Sequence, residues 1–397
     1  MTPEELPLPT LAEESAAECA QPHVYSNFRC IGAACEDTCC EGWGVPVDRA
    51  TYEKYQRCSD PQLGPKLRQL VTIKNADSIA AYASIHSPGG RCTFLADGLC
   101  SIQLKLGEDY LGHICATYPR ILNKLGSHTE RSLDLSCPEA ARLTLLDEKP
   151  MQFGEGIPPQ TAEGNVRTLI IHLLQNRSYP VAKRLLLVGK FCDAWSEFEM
   201  PTAPGDADLQ PGSADASTQL TLVLELMVAR LRLDYTTPRY LDLYREFAEG
   251  LQLKAESTRE QIGLRYSEAY RRYYAPFMER HEHMLENYLV AYAFKTMFPF
   301  GSPSVRRTLH LEQPGGSSCI SQYMLLAAYF AISKGIMIGL AARYKTDFST
   351  DHVVRAIQSI SKTFEHCETC PARLLAILAS KAISNCAAMA VLTENLR

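Results

Sequence analysis

Ile320 to Tyr344 reads ISQYMLLAAYFAISKGIMIGLAARY, and whether this segment crosses a membrane or fills a core settles the architecture. It is the longest apolar stretch of the chain. Gln322, Lys334 and Gly335 interrupt it, so it falls short of the ~18 uninterrupted apolar residues expected of a membrane span. It reads as a buried helix. Helical periods surround it: Leu222, Leu226, Ala229 and Leu233 fall at i, i+4, i+7 and i+11, one stripe of an amphipathic helix. Similar patterns run through NVRTLIIHLLQNR, VAKRLLLVGKFCDAW, PFMERHEHMLENYLVAYAFKTMF, DHVVRAIQSISKTF and PARLLAILASKAISNCAAMAVL. Pro180, Pro276 and Pro371 sit in first-turn positions, where the missing N–H costs little. Alternating strand patterns are scarce, and no repeat of solenoid length occurs.

At 397 residues the chain exceeds the size at which single cores stop growing, ~250–300 residues, and two domains are expected. Residues 150–397 form a helical domain in this reading, with MPTAPGDADLQPGSADAS (200–217) a flexible loop between helices. Residues 20–145 differ: they are rich in Gly, Pro and short turns (EGWGVPVD, HSPGGRC, LADGLC) and read as a loop-rich cysteine module packed on the helices. A net charge of −5 gives no basic footprint for nucleic acid. The N-terminus, MTPEELPLPTLAEESAAECA, is acidic and lacks the basic and apolar regions of a signal peptide. The expectation is a cytoplasmic protein without membrane or nucleic-acid partners.

The chain has 15 cysteines. In a reducing compartment, clustered cysteines are more often metal ligands or reactive groups than disulfides. Cys30, Cys35, Cys39, Cys40, Cys92, Cys100, Cys115 and Cys137 follow the pattern C-x4-C-x3-C-C, a long gap, C-x7-C-x14-C and a final cysteine, with Cys58 as an extra. No C-x2-C pair of the zinc-knuckle kind lies among them. Eight thiolates exceed one tetrahedral zinc, and an iron–sulfur cluster needs four, which distant segments can supply. A C-x3-C-x2-C signature begun at Cys35 and Cys39 fails because its third position is Gly42. The ferredoxin run C-x2-C-x2-C-x3-C is absent too. Side chains of Cys39 and Cys40 diverge, so one is expected to ligate and the other to pack.

The segments FRCIGAACEDTCCEGWGVPVD, CTFLADGLCSIQLKLGEDYLGHICATYPR and LDLSCPEA resemble those of the flagellin lysine-N-methylases. The cysteine core also resembles the superfamily of eight-cysteine zinc- or iron-chelating domains, with Cys92-Thr93-Phe94-Leu95, Cys100-Ser101-Ile102 and Cys115-Ala116-Thr117-Tyr118-Pro119 as matching elements. Where that superfamily often has Arg-Pro before the last element, this chain has Leu111-Gly112. The resemblance covers residues ~28–140. It implies methyl transfer from S-adenosylmethionine to surface lysines of flagellin, with a [4Fe–4S] cluster on a subset of the eight cysteines.

The chain has no strand–GxGxxG–helix unit of the Rossmann type and too few strands for the SET fold, so the donor must bind by another route. Gly154-Glu155-Gly156 reads as a loop. Lysine methylation needs a neutral amine, which a carboxylate or tyrosine can produce by taking the proton. Glu36, Asp37 and Tyr118 flank the thiolates and are the catalytic candidates, with Asp48 beside them. The bland alternative for the acids is capping a turn or helix, and for Tyr118 packing on Pro119. Trp43, with Tyr52 and Tyr55, is the candidate aromatic face for the donor's sulfonium, against an ordinary core role. His281 and His283 lie on different helix faces and make a poor metal pair. Cys367-x2-Cys370 resembles a redox or metal pair but lacks a thioredoxin context. Arg271-Arg272 and Arg306-Arg307 read as solvated charges able to steer an acidic partner. A metal carrier or structural zinc protein without catalysis is the competing expectation.

Overall fold

The computed structural model describes residues 19–42, 44–125, 128–153, 162–195, 215–231, 236–302 and 316–396. The protein is mainly α-helical, and its described strands are short: β1 (Cys19–Ala20), β2 (Pro46–Val47), β3 (Val71–Ile73), β4 (Ala83–Ile85), β5 (Leu95–Ala96), β6 (Leu99–Cys100), β7 (Arg120–Leu125) and β8 (His128–Leu133). They form no Rossmann-like or SET-like arrangement. Two compact units divide the chain between Ile121 and Leu122, and Cys19–Phe28 belongs with the second.

The first unit contains the helices α1 (Arg49–Gln56), α2 (Leu63–Leu70), α3 (Ser101–Leu106) and α4 (His113–Thr117). Its sheet has the order β2-β4-β3, antiparallel throughout, with Pro46 opposite Ser84 and Val71 opposite Ile85. Short helices need good caps, because their orphan N–H groups are a large share of their hydrogen bonding. Asp48 caps α1, accepting from Thr51 N at 2.9 Å and Thr51 Oγ1 at 2.8 Å. Just before α2, Asp60 Oδ1 accepts from Gln62 N at 2.9 Å and Leu63 N at 2.7 Å. A small core of Val47, Tyr55, Leu67, Val71, Ile85 and Phe94 sits between these elements, and Cys58 and Cys92 are part of it.

The second unit carries a three-stranded sheet in the order β1-β8-β7 and the helices α5 (Pro138–Leu145), α6 (Ala162–Gln175), α7 (Val181–Ala194), α8 (Ala216–Leu231), α9 (Pro238–Gly250), α10 (Arg259–Ala269), α11 (Ala275–His281), α12 (His283–Lys295), α13 (Gly316–Tyr344), α14 (Thr350–Ile360), α15 (Cys370–Ser380) and α16 (Cys386–Thr393). The apolar stretch that opened the sequence reading is α13. It is long and apolar enough to cross a membrane, but its most apolar window is wholly buried inside this unit. Helices α7, α8, α9, α10 and α16 pack around it.

The residues that interrupt its apolar run have structural reasons. Lys334 donates to Thr393 O at 3.2 Å, Glu394 O at 2.6 Å and Asn395 Oδ1 at 3.3 Å. Gln322 donates to Pro299 O at 2.5 Å. A Cβ at Gly335 would lie 2.5 Å from Val223 Cγ1, and one at Gly339 would lie 2.2 Å from Phe247 Cδ2. These glycines let α8 and α9 approach the central helix more closely than any side chain permits. In α8 the buried face runs through Leu220, Val223, Leu226, Met227, Ala229 and Arg230, and Leu222 is only partly buried. The predicted stripe shares Leu226 and Ala229 with this face; Leu233 lies outside the described residues, as do 200–214, Gly154-Glu155-Gly156 and Arg306-Arg307.

Candidate thiol and metal centre

Four segments of the first unit bring thiols together, each by a local device. The chain around Cys39 and Cys40 pairs with the chain before Cys92: Cys92 N donates to Cys40 O at 2.8 Å, Gly42 N donates to Gly90 O at 2.9 Å, and Glu41 and Arg91 form a β-bridge. Gly89 and Gly90 lie at φ 60° and 75°, the left-handed region that lets HSPGGRC turn here. Beyond Cys92 the strands β5 and β6 form a hairpin with Leu95 opposite Cys100. Its two-residue turn is Asp97-Gly98, both at positive φ (51° and 79°), as a type I′ turn demands. Cys115 follows in α4.

Within this neighbourhood the thiols feel one another. The Cys115 thiol is pushed up to about 12, first by burial and then by the charges of Cys100, Cys39 and Cys92. Burial likewise raises Cys92, with N–H donation from Phe94 opposing and the Cys100 and Cys39 charges adding to it. Cys39 is exposed beside this group, while its neighbour Cys40 is half-buried against the unit's apolar core. Cys30 and Cys35 form a second pair: Cys35 is raised by burial, then by Glu36, Asp37 and Cys30. Cys137 stands in the second unit, buried at the N-terminus of α5. Among the described residues, no three His, Cys, Asp or Glu side chains are grouped tightly enough to hold a metal ion. By donor chemistry four sulfurs suit a soft metal, and burial makes ionisation of Cys92 and Cys115 costly until a cation compensates.

The acids divide by role. Asp37 Oδ1 accepts from Thr38 N at 2.8 Å, and Thr38 Oγ1 accepts from Cys40 N at 3.1 Å, so this acid helps shape the turn carrying Cys39 and Cys40. Glu36 is exposed and close enough to raise Cys35. Asp48 does more than cap α1: its Oδ2 also accepts from His113 N at 2.9 Å, at the start of α4. Burial pushes its carboxyl up, and the N–H groups of His113 and Thr51 outweigh that, so it lies below the usual carboxylate range. One carboxylate thus fixes the helix that carries Cys115 relative to α1. Tyr118 ends α4 and precedes a cis peptide bond to Pro119. Trp43 lies outside the described residues. Tyr55 is buried, donating its hydroxyl to Tyr110 O at 2.8 Å, and burial followed by the charges of Cys115 and Cys100 holds that hydroxyl protonated. Tyr52 packs on Tyr82, their ring centroids 5.3 Å apart.

The second unit holds an ionic group that sequence reasoning did not single out. Lys295, buried in an otherwise apolar run, lies 3.3 Å from Asp134 Oδ2 and also bonds Glu365. His366 Nε2 lies 3.4 Å from Asp134 Oδ1 and 2.9 Å from Ser136 Oγ. Glu365 closes a π-helical turn, Ser361–Glu365, that continues α14. By contrast, Glu282 between His281 and His283 pairs with Arg184 at 3.0 Å.

The fold and this site define a mainly helical protein with a separate thiol-rich unit. The FliB lysine N-methylase C-terminal domain family matches residues 167–392, more than half of the chain, and the chain belongs to that family. The matched residues lie in the second unit. The flagellar biosynthetic protein FliU of Salmonella muenchen is 32% identical over 137 residues, which are 34% of this chain and 81% of that protein. Lysine-N-methylases of Salmonella choleraesuis (strain SC-B67) and Salmonella typhimurium (strain LT2) are each 31% identical over 137 residues, 34% of this chain. The alignment spans about a third (34%) of the length of those two relatives. No solved structure matches the chain.

Proposed function

We propose that this protein transfers methyl groups from S-adenosylmethionine to lysine side chains of flagellin, and that thiolates of the first unit hold a [4Fe–4S] cluster. The observation that carries the transferase reading is family membership over residues 167–392, supported by relatives named lysine-N-methylase and by the flagellar name of FliU. That Cys39, Cys92, Cys100 and Cys115 lie near enough for their charges to act on the Cys92 and Cys115 thiols supports the metal. These four are the ligands favoured here, with Cys30 and Cys35 as a second pair. When bound by four thiolates such a cluster would supply a redox-active iron centre, and a Lewis-acidic iron only if three thiolates held it.

The protein's own groups have two tasks. One is to take a proton: a lysine ammonium, with a pKa near ~10.4, has no lone pair. Glu36, Asp37 and Tyr118 are the candidate acceptors beside the thiols. The other is to align the amine with the donor. The amine's lone pair then forms the new N–C bond while the sulfonium S–C bond breaks, its electron pair staying on sulfur.

A second reading has one observation in its favour: four sulfurs are a complete tetrahedral zinc set. In that case the first unit is a structural zinc module. Anaerobic purification, metal analysis and incubation with labelled S-adenosylmethionine and flagellin separate the two. Iron and sulfide at about four each per chain, with label in flagellin lysines, are expected. Stoichiometric zinc in a colourless, fully active protein overturns the cluster. Unlabelled flagellin with iron-loaded protein overturns the transferase.

A further inference from the structure

A further pair of thiols lies outside the thiol-rich unit. Cys367 and Cys370 are joined by a tight turn in which Cys370 N donates to Cys367 O at 3.3 Å, and Cys370 begins helix α15. Cys367 is half-buried and Cys370 buried. Thr369 Oγ1 lies 3.6 Å from Cys367 Sγ, and the Thr369 N–H and the nearby Cys370 thiol also favour the charged form of that sulfur. Cys367 is drawn down to about 5, first by Cys370. Cys370 moves the other way, raised by its bond to Cys367 and by burial. Arg230 on α8 and Arg373 on α15 are charged neighbours of the pair, and Arg373 Nη1 donates to Ala229 O at 3.3 Å. The arrangement separates two roles: an accessible nucleophilic sulfur, and a protected sulfur one turn away that keeps its proton.

We infer that Cys367 and Cys370 form a thiol–disulfide exchange site, in which Cys367 attacks low-molecular-weight disulfides and Cys370 resolves the product. The Cys367 thiolate attacks one sulfur of the small disulfide; that S–S bond breaks, and the departing sulfur leaves as a thiolate and takes up a proton. Cys370 then releases its proton, and its sulfur attacks Cys367 Sγ, expelling the second small thiol. One external disulfide becomes two thiols, and the protein's two thiols become one disulfide, a transfer of two electrons. The i, i+3 turn makes this closure local, so α15 keeps its place. This site stands apart from the methyl-transfer reading and shares no residue with the thiol centre of the first unit.

The test uses full-length protein kept anaerobic, with oxidised glutathione as the probe, acid quenching and peptide mapping. Wild type is expected to yield a Cys367–Cys370 disulfide, and Cys370→Ser to accumulate one glutathione on Cys367. Cys367→Ser should leave Cys370 unmodified. Iodoacetamide supplies a check that needs no variant: at pH 6, Cys367 should react about tenfold faster in the folded chain than in the urea-unfolded one, because the gain in thiolate exceeds the loss of nucleophilicity. Equal rates in the two states, or a Cys370→Ser protein whose Cys367 stays free while other cysteines are glutathionylated, overturn the inference.

Discussion

The first unit builds its core from short helices and two- or three-residue strands, whereas the second surrounds one long buried helix with others and needs little else. The contrast follows from what each segment can bury. A unit of about a hundred residues with a small core gains little stability from burial alone, and such units commonly add a metal or disulfides. Here the thiols at its edge are placed by hydrogen bonds, two left-handed glycines and one hairpin, not by helix packing. In the second unit several buried charges are paired: Arg167 with Glu130, Arg184 with Glu286, and Lys295 with Asp134 and Glu365.

The sharpest way to break this comparison is to remove one thiol. Cys115→Ser should abolish metal binding and methyl transfer, while the far-UV circular dichroism of the helical unit stays near that of wild type. Metal analysis and labelled-methyl transfer read the first two. A variant that keeps full activity without metal would detach the first unit from the chemistry. Cys39→Ser should act the same way, and Cys40→Ser far less, since Cys40 lies against the core.

Lys295→Met tests the other side. It leaves Asp134 and Glu365 buried beside an apolar chain, and removing one partner of a buried pair costs about 3–5 kcal/mol. The midpoint of thermal unfolding should fall steeply, with metal content of the folded protein unchanged. A shift no larger than that of an exposed-pair variant such as Arg272→Ala would show that the buried group contributes little.

Lys334 gives the second unit a pH dependence. Burial draws this amine down to about 7, against a weaker opposing pull from Glu394. The unfolded chain holds that proton up to roughly pH 10.4, so between about 7 and 10 the unfolded state binds more protons and stability rises with pH. Below pH 7 the full cost of the buried charge is present. Chemical denaturation from pH 7 to 9.5 should show wild type gaining on Lys334→Met by a few kcal/mol. The slope is the test, because the variant also loses the amine's hydrogen bonds at every pH. Parallel curves would mean the amine stays charged in the folded state.

How much of this was legible depends on which distances sequence can carry. The helices were readable because their apolar periods repeat within one element. Gly335 and Lys334 looked like flaws in the apolar run, yet each is set by a partner far along the chain, Val223 and the C-terminal carbonyls. Spacing flagged the cysteines but could not tell which converge, because that depends on a strand pairing between residues 40–42 and 90–92. Cys137, the last of the eight, opens α5 in the second unit. Lys295 escaped notice because its partners, Asp134 and Glu365, are each a lone acid in sequence.

The smallest expected effect is the most informative about how the first unit works. Asp48 was noticed as an acid near the thiols, and its carboxylate proves to join two helix N-termini, accepting from Thr51 N, Thr51 Oγ1 and His113 N. A proton acceptor needs a reachable lone pair, and this one is buried and committed to three donors. Asp48 therefore reads as a positioning residue for Cys115. Asp48→Asn keeps the shape but replaces one acceptor oxygen with a donor, so either the cap on α1 or the tie to α4 is lost. The stability cost should be about 1 kcal/mol, that of an N-cap. Metal affinity should fall further, by roughly 10–100-fold, as when groups that orient ligands are removed. Asp37→Asn provides the contrast: metal content should stay, and turnover should slow only if that acid takes the lysine proton. If Asp48→Asn loses stability but keeps full metal affinity, α4 is held by other contacts and the carboxylate is a cap alone. If it keeps both, the hydrogen bond to His113 carries no weight, and the placement of Cys115 must come from the packing of Leu111 and Tyr110 against the core.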